Sequence, residues 1–194
     1  ATGALYGLIA TGIILIYRTN RIINFAAAAI GAVPAIFAVL LQVLKGTPYW
    51  LTFVLTIVGG ALLGWVSDVA VIRRFRNAPR LILTVATIGI AQLLAFVAIH
   101  IPGWLGSKDI GSNVRTPWAR FRWNTSSGTL LANGDYIFTV AAVVALCGGL
   151  TAFLRFTKMG IALRASAENA DRASLLGIPV KRVQTVSWVI AGVF

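Results

Sequence analysis

Side chains that could do chemistry are scarce in this sequence. Its 194 residues include five acidic side chains, one histidine and one cysteine. No two carboxylates share an apolar run, His100 and Cys147 form no cluster, and neither an HExxH motif nor a phosphate-binding glycine motif is present. The sequence therefore predicts no enzyme, no metal site and no cofactor held by this chain.

The charged residues that stand out lie in a polar segment, residues 157–182, between two apolar runs. This segment holds Glu168 and Asp171, two of the five acidic residues, together with Arg164 and Arg172. Such side chains can pair with one another or with a partner, but they are not arranged for proton transfer. The segment is therefore a candidate for docking and not for catalysis.

Capping residues within this segment predict a short helix over residues 170–176. Asn169 can accept a backbone N–H as the N-cap, Asp171 falls in the first turn, and Gly177 supplies a left-handed residue at the end. The apolar surface of this helix comes from Ala173, Leu175 and Leu176. A helix of about two turns is marginal alone in water, so we expect it to be held by packing.

The elements that must position this segment are membrane spans. Hydrophobic residues make up 58% of the chain and charged residues 11%, and the charges separate long uncharged runs. We predict an all-α polytopic membrane protein, a bundle of transmembrane helices. The predicted spans are residues 1–17, 24–44, 51–72, 81–101 and 136–156, and a sixth, 183–194, is too short to cross, which suggests a fragment cut inside that helix.

The net charge of +12 predicts an orientation, since the cations lie at the ends of the apolar runs. Assigning alternate loops to one side places 12 of the 17 basic residues together, and that side should be cytoplasmic. Residues 157–182 are then cytoplasmic and residues 102–135 form an extracytoplasmic loop. We expect membrane lipid around the helices. The loop is basic and aromatic, a pattern that can indicate nucleic-acid binding, but its position outside the cytoplasm argues against that function.

Two groups of residues could line a pathway between the helices. Asn24 precedes a run of small residues that includes Ala27 and Gly31, and either a polar pathway or a tight turn with close helix packing explains this pattern. A mildly polar stripe follows the fourth span: Thr84, Thr87 and Gln92. The stripe could line a conduit or bond to neighbouring helices.

Three stretches of the sequence resemble one family. IYRTNRIINFA (residues 16–26), the basic loop followed by an apolar helix with Ile88-Gly89, and MGIALRASAENADRASLLGIPVKRV (residues 159–183) resemble permease subunits of bacterial ABC importers for branched-chain amino acids. The resemblance covers essentially the whole chain, and the third stretch is the most specific.

The resemblance implies that the short cytoplasmic helix is a coupling helix seated in a groove of an ATPase. The residues that would make this contact are Glu168, Asn169, Asp171, Arg172, Leu175, Leu176 and Gly177. The implied partners are a second permease subunit or half, two cytoplasmic ATPase subunits or domains that bind ATP and Mg²⁺, and an extracytoplasmic solute-binding protein. The implied location is the bacterial inner membrane.

The sequence also departs from the family pattern. Residues 27–29 are all alanine, where the family usually has a polar residue, glycine and often an acidic residue, and Ala95 stands where glutamine is common. Both changes make the pathway less polar, so the solute is either a branched-chain amino acid or a related small solute such as urea, a short amide, or another amphipathic or apolar solute. An ion-coupled secondary transporter and a non-transporting scaffold or receptor domain are the alternative functions.

Overall fold

The computed structural model describes residues 2–75, 78–106, 120–125 and 128–194, and for residues 120–125 and 128–133 it describes the backbone alone. Three cations used in the orientation prediction, Arg76, Lys108 and Arg115, lie outside the described residues, as does much of the predicted outer loop.

Eight α-helices and one hairpin make up the described chain. The elements in order are α1 Thr2–Asn20, α2 Ala27–Lys45, α3 Tyr49–Ser67 followed by a π-helical turn Asp68–Ile72, α4 Arg80–Trp104, β1 Arg120–Thr125, β2 Gly128–Asn133, α5 Gly134–Phe156, α6 Lys158–Glu168, α7 Ala170–Leu175 and α8 Val180–Val193. Helices α1 to α5, with the π turn counted in α3, are long and apolar enough to cross a membrane. The all-α polytopic class is confirmed, and the antiparallel β1–β2 hairpin is an addition that the sequence did not predict.

Helix α8 lies at the centre of the helical packing. It contacts α3, α1, α6 and α2, and its Trp188 has no exposed surface. Trp188 joins Ile16 of α1, Ile30 of α2 and Leu83 of α4 in the main apolar cluster. The short run that ends the sequence is thus the element on which the long helices converge.

Glycines allow α3 and α8 to pack backbone against backbone. A Cβ atom added to Gly60 would overlap the carbonyl oxygen of Gly192, and one added to Gly64 would overlap the carbonyl oxygen of Trp188. Gly60 and Gly64 are four residues apart, so both lie on one face of α3. Small residues at this spacing are the usual means of close helix contact in membranes.

Helix α5 is attached much more loosely. In α5 the buried residue is Gly134, and the membrane-length window of this helix buries none of its side chains. Phe138 contacts the bundle edge-on, with its ring centroid 5.7 Å from that of Phe53 in α3. The hairpin stands immediately before α5 in the chain.

Residues from several helix ends meet at one end of the bundle. Arg21 follows α1 and bonds to Ala167 of α6, while Arg73 follows the π turn and bonds to Thr185 in the first turns of α8. Arg80 begins α4 in the same region, since it lines a cavity together with Arg73. We call this the basic end, and it is the side predicted to be cytoplasmic.

We predict that Gly64→Ala destabilises the protein, while Gly148→Ala in α5 does not. The added methyl at residue 64 meets the backbone of α8, whereas nothing lies within 4 Å of a Cβ at residue 148. Overpacking of this kind costs about 1–3 kcal/mol. Unfolding in mixed micelles measures both changes, and an equal effect of the two substitutions would contradict the proposed role of the α3–α8 contact.

Candidate functional site

Helix α6 begins with a side-chain N-cap that was not predicted from the sequence. The Thr157 hydroxyl accepts the N–H of Gly160 at 2.9 Å, as an N-cap does. Gly160 lies so close to the carbonyl oxygen of Phe153 that a side chain at this position would collide with α5. The chain therefore turns sharply from α5 into α6.

Helix α6 is anchored to the bundle along one face. Leu163 and Ser166 are buried on that face. At the end of α6, the Arg21 guanidinium donates from Nη2 to the carbonyl oxygen of Ala167 at 2.9 Å. This hydrogen bond links α6 to the turn between α1 and α2.

Helix α7 has the caps that the sequence predicted. The Asn169 side chain accepts the N–H of Arg172 at 3.0 Å, and Gly177 takes a positive φ of 79°. The N–H of Ile178 donates to the carbonyl oxygen of Ala173 at 3.1 Å, which is the six-residue closure of a Schellman motif. Ala173 is buried, so one face of α7 packs on its own chain.

The other face of α7 is exposed in the described chain. All seven residues of the predicted coupling surface are exposed: Glu168, Asn169, Asp171, Arg172, Leu175, Leu176 and Gly177. Leu175 is 86% exposed and Leu176 is 81% exposed. Two leucines flanked by charges of both signs can dock against an apolar groove with a polar rim.

Just beyond α7, the start of α8 is bonded to the end of α3. The Thr185 hydroxyl donates to Asp68 Oδ2 at 2.6 Å and accepts from Arg73 Nη2 at 2.5 Å. Arg73 Nε also donates to Asp68 Oδ2 at 3.2 Å, which is an ion pair. Asp68 is 2% exposed, so its carboxylate depends on these two partners.

A second polar contact bonds the start of α8 to the end of α1. The Ser187 hydroxyl accepts from the Thr19 hydroxyl at 2.9 Å and from Asn20 Nδ2 at 3.3 Å, and it donates to the carbonyl oxygen of Gln184 at 2.6 Å. Thr19 and Ser187 are both buried. Displacement of α7 would therefore reach α1 and α3 through α8.

The predicted pathway residues Asn24 and Thr87 are brought together in the structure. Asn24 lies in the turn before α2, where its Oδ1 accepts the N–H of Ala26 at 2.9 Å, and α2 consequently begins at Ala27. The Thr87 hydroxyl of α4 accepts the N–H of Phe25 at 3.1 Å and lies 3.2 Å from the carbonyl oxygen of Ile23. Asn24 Nδ2 is buried and has no hydrogen-bond partner among the described residues.

The other four pathway candidates bring no side chain to this contact, although the carbonyl oxygen of Thr84 accepts the Thr87 hydroxyl at 2.7 Å. Ala27 and Gly31 are half-buried on α2, and nothing lies within 4 Å of a Cβ placed on Gly31. The Thr84 hydroxyl donates to the carbonyl oxygen of Arg80 in its own helix, and Gln92 is exposed. The role of these six residues in a pathway stays a prediction.

Sequence patterns did not identify the residues that connect the helices at the basic end. Thr19, Thr185 and Ser187 are polar residues in or beside apolar runs, and this is the signal that could have identified them. Their partners lie more than 100 residues away in the chain, so no local spacing could pair them. Among the described residues no three metal-binding side chains cluster.

Comparison with known proteins supplies the family. A family model described as "Branched-chain amino acid transport system / permease component" matches residues 1–194. The chain is similar to the probable branched-chain amino acid transport permease protein LivH of Methanocaldococcus jannaschii, with 33% identity over 187 residues, 95% of this chain and 58% of that protein.

Bacterial relatives give the same result. The high-affinity branched-chain amino acid transport system permease protein LivH of Escherichia coli K12 is 31% identical over 198 residues, covering 97% of this chain and 63% of the relative. The Pseudomonas aeruginosa permease protein BraD is 27% identical over the same length. This chain thus spans about three fifths of the length of the curated relatives it matches. No solved structure matches significantly.

We predict that Arg73→Ala destabilises the fold and that Arg74→Ala does not. Arg73 pairs with the buried Asp68, whereas Arg74 is an exposed neighbour that makes no such pair in the described structure. Leaving the carboxylate with Thr185 alone should cost about 1–3 kcal/mol of unfolding free energy. In the double variant with Asp68→Asn this cost should fall, and full additivity in the micelle unfolding assay would argue against the pair.

Proposed function

The chain belongs to the permease components of branched-chain amino acid transport systems, and from this membership we propose that it forms part of the translocation pathway of an ATP-driven importer. It is a multi-pass protein of the inner membrane. ATP and Mg²⁺ would bind to a separate ATPase subunit or domain, which would carry out the hydrolysis. This chain would respond to movement of the ATPase by changing the side of the membrane to which the solute pathway opens.

The observation that carries the proposal is the exposed apolar tip of α7. Leu175 and Leu176 are almost fully exposed, although the caps at Asn169 and Gly177 fix the backbone that presents them. Exposing two leucines to water is unfavourable by about 1.5–3 kcal/mol each relative to burial. A groove in a cytoplasmic ATPase is the partner that the family membership supports.

The polar contacts of α8 explain how docking at α7 would act on the membrane spans. Leu176–Pro179 is the whole connection between α7 and α8, and it includes the Gly177 turn and its closing hydrogen bond to Ala173. A shift of α7 would therefore move the start of α8, with Asp68 of α3 and Thr19 of α1 bonded to it. Alternating access in this proposal is a rearrangement of α1, α3 and α8 driven by ATPase closure.

The remaining partners follow from the same family membership. A second permease subunit or half would cover exposed bundle faces, and a solute-binding protein would deliver solute at the side of residues 102–135. The proposed solute is a branched-chain amino acid or a related small solute. The relatives named above are permeases for branched-chain amino acids by their names, and this supports that class.

An ion-coupled secondary transporter is the weaker alternative. Such transporters place ionisable side chains near the middle of the membrane. In the described spans, Asp68 lies in the π turn at the basic end and is paired, and Asp135 lies in the first turn of α5. Neither position suits a proton or sodium ion carrier at the midplane.

We predict that replacing Leu175 and Leu176 together with alanine weakens ATPase binding by about tenfold or more, because two exposed leucines lose their burial in the partner. Solute-stimulated ATP hydrolysis by the complete complex should fall in parallel. Copurification of the ATPase with the tagged permease measures the binding, and leucine-stimulated phosphate release by the complete complex measures the hydrolysis.

The matched control replaces two exposed apolar residues of α4, Leu93 and Ile99, with alanine. These side chains are 70% and 73% exposed and lie in a membrane-length helix. Their loss should leave ATPase binding unchanged. Normal ATPase binding by the Leu175/Leu176 variant would show that α7 is not the coupling element.

A further inference from the structure

A polar cavity opens at the basic end, away from α7. Its volume is about 240 Å³, and its walls come from the end of α1, the π turn, the start of α4 and the start of α8. The side chains that matter for its chemistry are Asp68, Arg73, Arg80, Lys181, Asn20 and Gln184. Neither the coupling surface nor the pathway candidates line this cavity.

The charge of the cavity is positive. Three cations line it and one carboxylate does, and Asp68 is already engaged by Arg73 and by the Thr185 hydroxyl. Arg80 and Lys181 are exposed and form no ion pair within the described residues. Two cations facing one cavity repel each other unless an anion lies between them.

Two helix starts add to this positive potential. Helix α4 begins after Pro79 and α8 begins after Pro179, and neither proline provides a side-chain cap. The helix dipole is positive at both starts, although several N–H groups of the first turns already donate to the carbonyl oxygens of Pro79 and Pro179. Arg80 and Lys181 stand in these first turns, so the cations and the helix starts act on the same space.

An exposed apolar row runs along α4 on a different face from the cavity-lining Leu83. Leu81, Val85 and Ile88 form this row at helical spacing, and all three are exposed. The row starts one residue after Arg80 and lies in the part of α4 that is long and apolar enough to cross the membrane. A ligand with a phosphate head and acyl chains would match both surfaces.

We propose that this cavity binds a phosphate group, supplied by an anionic phospholipid of the cytoplasmic leaflet. Arg80 and Lys181 contact the phosphate, Gln184 offers a hydrogen bond, and the acyl chains lie along the exposed row of α4. Basic cavities between transmembrane helices on this side of a membrane are suited to such head groups. The proposal is independent of how transport is powered.

The test uses the intact permease purified with its partner subunits and titrated with phosphatidylglycerol or phosphatidylcholine in native mass spectrometry. Arg80→Gln with Lys181→Gln should weaken phosphatidylglycerol binding by about 30-fold, which is about 2 kcal/mol for two cations. The matched control, Arg74→Gln with Lys158→Gln, removes the same charge from exposed residues that do not line the cavity. Arg80→Lys with Lys181→Arg keeps the charge and should keep binding.

Inorganic phosphate and glycerol 3-phosphate distinguish the two sources of the same chemistry. Lipid binding that depends on Arg80 and Lys181 and resists millimolar phosphate supports the lipid. Displacement by phosphate with the same dependence supports the anion site and makes a soluble phosphate its ligand. Equal loss in the pocket and control variants, or no loss in either, would overturn the proposal.

Discussion

The close contact of α3 with α8 is the constraint on which the rest of this structure depends. Gly60 and Gly64 on one side, and Gly192 on the other, allow two backbones to approach where any side chain would separate them. In a membrane, where apolar surface is not driven together by water, such packing is a main source of helix association. It places a helix of 14 residues in the centre of much longer ones.

The polar contacts at the basic end follow from that placement. With α8 held against α3, Thr185 lies within hydrogen-bond distance of Asp68, and Ser187 faces Thr19 of α1. Buried hydrogen bonds in a low dielectric are costly to leave unmade, so these contacts restrict the rotation of α8 about its axis. Glycines set the distance between the helices, and the polar pairs set their register.

What the sequence could predict was local or compositional. The caps of α7 at Asn169 and Gly177 depend on residues a few positions apart, and the spans follow from uncharged runs. The central position of α8 could not be predicted, because it arises from side chains that meet across the whole chain. Gly3 and Gly7 have the same spacing as Gly60 and Gly64, but nothing lies within 4 Å of a Cβ at either of the first two.

The candidate site likewise has features that the sequence predicts and others that only the fold creates. Exposure of the coupling surface follows from a short polar segment, whereas the bonds of Thr87 to the backbone on either side of Asn24 required the fold. Helix α6 was not predicted because its composition is mixed and its buried face is small. The buried residues of this helix are Gly160, Leu163 and Ser166. Spacing alone therefore located exposed residues better than residues that contact each other.

The unequal attachment of α5 and α8 determines where movement at α7 can go. Helices α6 and α7 connect α5, whose side chains are largely unburied, to α8, which is packed on four helices. Arg21 fixes the end of α6 to the α1–α2 turn, and this turn is in turn bonded to Thr87 of α4. A displacement of α7 would thus be transmitted to α8, α1 and α4 through bonded contacts, while the loosely held α5 can follow at little cost in free energy.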